Sequence, residues 1–396
     1  MTFEARHPRV VVAPDKFKGS LSAAEAAEAI VTGLRRGCPE VEVTVLPVAD
    51  GGEGTVAAAL SAGYESRTVV VRGPTGEPVH ATFALSRGRA VLEMAEASGL
   101  RKLPGGRPAP RTASTYGTGQ LIREALDAGA REVILGLGGS ATTDGGAGMA
   151  AALGVRFLDA AGLDLAPGGS ALADLDRIDL TGLDPRISEA TVVLASDVDN
   201  PLVGQHGAAA VYGPQKGADV EDVRVLDAAL SHYAELLARH TGVLVAALPG
   251  AGAAGGTGAG AVALLKARSE SGIALVLEVV RFHEALAEAD LVITGEGSLD
   301  LQSLSGKAPV GIAAAARSAG VSVIALVGRL EVGPAELAAF GIGAAYALLE
   351  LEPDVGRAQT HAATLLAVLA EKVGAQLGGS LPALTNSPEM SQLNPG

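Results

Sequence analysis

The chain opens on VVVA at 10–13, an apolar run of the length of a buried strand. The turn PDKFKGS follows, and Ser22 with Glu25 forms a capping-box pattern that starts a helix from Ser22 to Arg36. VEVTVLPV at 41–48 alternates like a strand. ADGGEGT then turns the chain, and a second helix runs to Gly63, where glycine can adopt the left-handed cap conformation. After this βαβα opening the rhythm changes. TVVVRG, HATFAL and RAVLEM, within 67–94 and separated by GPTGEP and SRG, read as short antiparallel or mixed strands.

From Gly117 the alternation resumes: a helix to Gly129, the strand EVILGL, a glycine-rich loop, a helix over 146–153 and the strand VRFL. Residues 159–188 read as loop and turn. VVLASDV (192–198) is a strand whose end carries two aspartates, followed by the polar connection NPLVGQHGAAAVYGPQKGADV and a helix over 222–241. VLVAAL, PGAGAAGGTGAG and a short helix come next. DLVITGEGSLD (290–300) is strand then acidic turn, before a helix after Lys307, the strand VIALVG and a last helix from Gly356. Residues 379–396 lack apolar periodicity and are expected to be disordered. Strands alternating with helices predict an α/β fold with mainly parallel sheets, and 396 residues suggest two domains.

In such sheets ligands bind beyond the carboxyl ends of the strands. Five turns fall there and can share one edge: DKFKGS, ADGGEGT, GGSATTDGG, SDVDNP and TGEGSLD. A formal charge of −14 opposes nucleic acid and anionic membrane, so an anionic substrate needs locally concentrated positive charge. Cys38 is the single cysteine, which excludes an intramolecular disulfide and a multi-cysteine metal site, and the seven histidines give no zinc motif. With no apolar leader or transmembrane span in the sequence, a soluble cytoplasmic protein is expected. Of seven lysines, Lys16, Lys18, Lys216 and Lys307 adjoin small or glycine-rich turns, as contacts to phosphate or carboxylate or by compositional chance.

Glycine lets backbone N–H groups approach an anion. Gly138 and Gly139, with the hydroxyls of Ser140, Thr142 and Thr143, therefore read as a phosphate cradle, or else as a tight turn whose hydroxyls cap a helix. Asp50, Glu53, Asp144, Asp197, Asp199, Glu296 and Asp300 lie in the same set of turns. Carboxylates beside a phosphate site can hold Mg²⁺ with water or take a proton from a substrate hydroxyl; single aspartates also close turns. Asp50, Asp197 and Glu296 directly follow apolar runs, where a rigid strand positions them. No Walker A pattern occurs. GAGAAG (250–255) matches a dinucleotide fingerprint in form, but Pro249 interrupts the passage from strand to turn. Tyr116, Tyr212 and Phe17 are loop aromatics able to cover an adenine or to pack locally.

Taken in order, PDKFKGSLSA, PVADGGEGT, GLGGSATTDGGAGM, SDVDNPLVGQHGAAAVYGPQKGA, PGAGAAGGTGAG and DLVITGEGSLD closely resemble the bacterial glycerate kinase family, from Val10 to about Gly374. The resemblance implies phosphorylation of D-glycerate by ATP with Mg²⁺, typically giving 2-phosphoglycerate in organic acid or glyoxylate catabolism. It also implies a discontinuous terminal domain (1–75 with 285–378), an inserted flavodoxin-like domain (76–284) and an active site in the cleft between them. Ser298 stands where relatives often carry arginine and Ser303 where threonine is common, so Lys307 or another cation must replace any arginine contact to phosphate.

On this reading Gly138, Gly139, Ser140, Thr142, Thr143 and Lys307 hold ATP phosphates. Lys18 and Ser20 contact phosphate or the glycerate carboxylate, and Asp197 is the base. Asp50 and Glu53 orient glycerate hydroxyls, while Glu296 and Asp300 hold Mg²⁺ or its water. GPTGEP and GPQKGA are candidate hinge or lid segments. The alternatives are 3-phosphoglycerate as product, a kinase for another hydroxy acid, a non-catalytic binder of small organic acids, and a dehydrogenase using GAGAAG. Oligomeric state is not readable from the pattern.

Overall fold

A computed structural model describes residues 6–300 and 307–378. The chain divides into two compact units, one built from residues up to Asp50 and from Val276 onward, the other from Gly51–Leu275. Each has its own hydrophobic core.

The first unit begins with β1 (Arg9–Pro14), α1 (Ala23–Gly37) and β2 (Glu42–Val45). The capping box at the start of α1 forms: the Ser22 hydroxyl accepts from the Glu25 N–H at 3.2 Å, and the Glu25 carboxylate accepts from the Ser22 N–H at 2.8 Å.

The second unit then runs through α2 (Thr55–Ser61), β3 (Glu65–Arg72), β4 (Pro78–Ser86), β5 (Arg89–Glu93), α3 (Ala95–Ser98), α4 (Tyr116–Asp127) and β6 (Glu132–Gly136). It continues with α5 (Ala147–Ala152), β7 (Arg156–Leu158), β8 (Arg177–Asp179), β9 (Thr191–Ala195), α6 (Ala208–Tyr212), α7 (Val220–Thr241), α8 (Ala253–Leu265) and β10 (Arg268–Glu270). Its six-stranded sheet has the order β10-β9-β6-β5-β4-β3, antiparallel only across β3, β4 and β5. The unit therefore starts at Gly51 and not near residue 76, because β3 pairs with β4 along its whole length, from Glu65↔Leu85 to Arg72↔Pro78. GPTGEP is the turn of that hairpin, closed by the Gly73 N–H on the Glu77 carbonyl. VLVAAL forms no strand: Val245 is buried while Leu244 stays exposed, and the segment is held locally by the Leu202 N–H on the Ala246 carbonyl.

The chain passes through α9 (Gly272–Val279), in which the division falls, and α10 (Phe282–Leu286), and the first unit resumes. It adds β11 (Leu291–Gly295), β12 (Ser298–Leu299), α11 (Ala308–Ser318), β13 (Ser322–Val327), β14 (Arg329–Leu330), α12 (Pro334–Ala339), β15 (Ala344–Ala347), α13 (Val355–Thr360) and α14 (Ala362–Gly378). Its sheet is parallel throughout, in the order β15-β13-β11-β1-β2. Read from the other edge this is the 2-1-3-4-5 order of flavodoxin-like sheets, so that topology belongs to the discontinuous unit and not to the inserted one. VVVA is buried on both faces, as a central parallel strand must be: Val10, Val11, Val12 and Ala13 are all inaccessible. Among the described residues, no helix is long and apolar enough to cross a membrane.

Helices α1 and α14 approach closely through small residues. A Cβ on Gly33 would lie 2.1 Å from the Ala367 carbonyl oxygen, and one on Gly37 2.2 Å from that of Glu371. Helix propensity alone favours Gly33→Ala by about 1 kcal/mol, but overpacking against a backbone carbonyl costs about 1–3 kcal/mol. The packing term wins, and Gly33→Ala is expected to lower the melting temperature. An unchanged or raised Tm contradicts this contact.

Candidate functional site

In the second unit, β5, β6 and β9 are parallel neighbours in register, with Leu92↔Leu135, Glu93↔Gly136 and Gly136↔Ala195 paired. Their carboxyl ends therefore form one edge. The loop after β6 leaves it with Gly138 half-buried and Gly139 exposed at φ +72°. The turn at 51–54 belongs to the same edge: a Cβ on Gly136 would lie 2.6 Å from the Gly51 oxygen, and one on Gly138 2.7 Å from the Gly52 Cα. Buried Glu93 accepts from the N–H groups of Gly54 at 3.0 Å and Val56 at 2.8 Å, fixing the start of α2, and Glu53 pairs with Arg101. Asp197, two residues past β9, is exposed and accepts from the Gly272 N–H at 3.2 Å.

The rest of the loop is turned into the protein. Ser140 is buried and bridges to Gly99, while Thr142 and Thr143 are wholly inaccessible, their hydroxyls without a hydrogen-bond partner. An approaching phosphate thus meets the peptides of Gly138 and Gly139 before it meets these hydroxyls. The cause is packing that composition does not reveal: the GAGAAGG segment lies on the loop. A Cβ on Gly255 would come within 1.9 Å of the Thr142 oxygen, and the Gly145 N–H donates to the Gly255 carbonyl at 3.1 Å. No strand precedes GAGAAG, so it is no dinucleotide fingerprint. Helix α5 is a short element started by Gly146 at φ +75°.

Asp144 is the buried anchor of this loop. Its carboxylate accepts from the Thr115 N–H (2.8 Å), the Thr115 hydroxyl (2.9 Å) and the Gly146 and Gly148 N–H groups (3.2 Å each). Burial still pushes its pKa up, with these bonds pulling it down. Lys216, from GPQKGA, is buried beside it and donates to the Thr142 carbonyl at 2.6 Å. Burial lowers its pKa to about 7, opposed by the Asp144 charge. That lysine pins the loop from below, so GPQKGA is an anchored segment.

In the first unit, β1 lies between β2 and β11, and the order reverses between β1 and β11. Asp15 follows β1, Asp50 comes after β2 and Glu296 follows β11. The Asp15 N–H donates to the Gly295 carbonyl at 2.8 Å, and the Ser20 hydroxyl to the Phe17 carbonyl at 3.1 Å. Gly297 lets this turn close, since a Cβ there would sit 3.1 Å from the Lys18 nitrogen. Lys18 stands exposed beyond it. Asp15 is buried, and its pKa is raised to about 7 by that burial first and then by the charge of Asp50, against Lys16 and with a smaller push from Glu296.

Sequence reasoning misses Asp15. It directly follows VVVAP, and the criterion that singles out Asp50, Asp197 and Glu296 applies to it equally. Asp300 follows β12, half-buried, and Lys307 is the N-cap residue of α11; Ser303 lies outside the described residues. Among the described residues, no three His, Cys, Asp or Glu side chains form a ready-made metal cage.

Residues 10–378 match the model of the glycerate kinase family. The glycerate kinase of Halalkalibacterium halodurans is 48% identical over 92% of this chain and 97% of its own length. The glycerate 2-kinase of Escherichia coli is 45% identical over 86% and 90%. The crystal structure of a Salmonella typhimurium LT2 protein provisionally named glycerate kinase 2 superposes with a TM-score of 0.83 at 44% identity, covering 94% of this chain and 99% of that one. Sequence and fold agree over nearly the whole length: the chain belongs to the glycerate kinase family.

Proposed function

We propose that this enzyme transfers the γ-phosphoryl group of ATP to the 2-hydroxyl of D-glycerate. The observation that carries the reading is the β6–β9 pairing, which sets the Gly138–Gly139 backbone and the Asp197 carboxylate on one edge of the inserted unit. Phosphoryl transfer is catalysed mainly by positioning and charge, and this edge offers both: open peptide N–H groups for phosphate oxygens and a carboxylate to take the hydroxyl proton. The naming of the Escherichia coli relative supports the 2-hydroxyl.

Lys18 and Ser20 are assigned to phosphate or the glycerate carboxylate, Asp50 and Glu53 to the hydroxyls, and Lys307 to positive charge for ATP phosphates. Mg²⁺ fits the donor chemistry here as a hydrated ion. Burial first, and then the charges of Asp50 and Glu296, raise the pKa of Asp15 to about 7, so carboxylates gather here, and Mg²⁺ binds through one or two carboxylates, waters and substrate phosphates without needing a full protein cage. Glu296 and Asp300 are its proposed holders; when bound it would neutralise charge on the phosphate oxygens. A second reading makes Asp15 the proton acceptor, favoured by its pKa near neutrality.

Incubation with ATP, Mg²⁺ and D-glycerate, followed by phosphorus NMR, is expected to show 2-phosphoglycerate. 3-Phosphoglycerate reverses the orientation, and no product from folded protein overturns the kinase reading. Asp197→Asn is expected to lower kcat by ~10²–10⁴ with KM for ATP little changed. An unchanged kcat removes Asp197 as base, and Asp15 then takes its place if Asp15→Asn abolishes turnover.

Asp15 also sets a pH dependence of stability. Its pKa rises from 3.8 to about 7 on folding, so between these values the folded chain holds a proton that the unfolded chain has lost. The charge penalty of its burial is therefore absent below about pH 4 and grows progressively up to about pH 7. Without nucleotide or metal, the Tm of Asp15→Asn relative to the parent is expected to rise between pH 5 and pH 8. A pH-independent difference contradicts the raised pKa.

A further inference from the structure

The inserted unit contains a cavity of about 420 Å³ that none of the roles above uses. It lies within the usual size range of small-molecule sites, roughly 300–1,000 Å³. One wall is apolar, from Ala151, Val155, Phe157 and Leu172, while Ser114 and Asp144 add polar groups to the lining. Glycerate, with a carboxylate and two hydroxyls on three carbons, would leave such a wall unfilled and bury its polar groups against hydrocarbon.

The mouth carries different chemistry. Arg72 ends β3, which runs parallel to β5 because both are antiparallel to β4, so Arg72 stands on the same sheet edge as the Gly138 loop. Its guanidinium lies over the Tyr116 ring, 4.5 Å from the centroid. This platform is fixed at the backbone: the Arg72 N–H donates to Gln120 Oε1 at 2.8 Å, and a Cβ on Gly117 would lie 1.8 Å from the Arg72 oxygen. Among the described residues the Arg72 guanidinium has no carboxylate partner. Beside it, Arg156 donates twice to Asp164, at 3.0 Å each, placing a donor next to an acceptor at the rim.

We infer that this cavity is the nucleobase subsite of the ATP in the proposed reaction, an inference that rests on that reading. A purine is a flat apolar body that fills the walls and stacks on the Arg72–Tyr116 pair, and its edge carries an amino donor beside a ring acceptor to match Asp164 and Arg156. The lining also includes Asp144 and Gly148, so the same loop that leaves the sheet at Gly138 and Gly139 ends in the cavity wall. Base and phosphates are thereby served by one continuous segment.

Two variants test it: Arg72→Ala, which removes the platform, and Ala166→Trp, which blocks the mouth from an exposed lining position. Each is expected to raise KM for ATP about tenfold, within the range for loss of base stacking. The KM for glycerate and the inhibition constant of inorganic tripolyphosphate against ATP should stay within twofold, since tripolyphosphate has no base. An unchanged KM for ATP in either variant, or a parallel rise in the tripolyphosphate constant, overturns the subsite while leaving the kinase reading intact. If the parent protein does not phosphorylate glycerate, the kinase reading fails; ADP calorimetry then decides the cavity, with weakened binding in both variants supporting it and unchanged binding in either excluding it.

Discussion

The buried carboxylate of Asp144 is the constraint on which the inserted unit depends. A carboxylate out of water is costly, and burial pushes its pKa up; four donors from Thr115, Gly146 and Gly148 converge on it and offset that cost, with Lys216 nearby. Those bonds tie the loop after β6 to the start of α4. The same tie shapes the cavity, because Ser114, Tyr116, Asp144 and Gly148 all line it. Removing the carboxylate would free two helix starts and a loop together.

Glycine supplies the second constraint, through the absence of a side chain more than through flexibility. Gly136 and Gly138 let the 51–54 turn lie on the sheet edge, Gly255 lets α8 lie on the loop, and Gly117 lets α4 begin against β3. A chain so rich in glycine and alanine looks permissive in composition. In the structure those positions are close approaches where even a methyl group has no room.

Much of this was legible beforehand. The capping box of Ser22 and Glu25 and the left-handed Gly63 follow from local chemistry, and both appear as expected. The placement of acidic turns at strand ends was legible for the same reason, since an apolar run followed by Asp or Glu marks where a rigid strand stops. The failures are tertiary. Nothing local distinguishes a hydroxyl facing solvent from one covered by α8, so Thr142 and Thr143 read as phosphate donors although they are wholly buried. The sequence places the start of the inserted unit near residue 76, and the fold places it at Gly51, because a hairpin looks the same whichever sheet it joins. Asp15 is different: its position after VVVAP is legible in the sequence, and only its raised pKa, set by burial and by Asp50 and Glu296, needs the fold.

If the proposed reaction is right, nucleotide binds along the loop that leaves β6. A crystal structure of the ADP complex with D-glycerate tests it most directly. Phosphate oxygens are expected on the N–H groups at Gly138 and Gly139 and the adenine on the Arg72–Tyr116 platform. Phosphates bound elsewhere, with the loop empty, would contradict it.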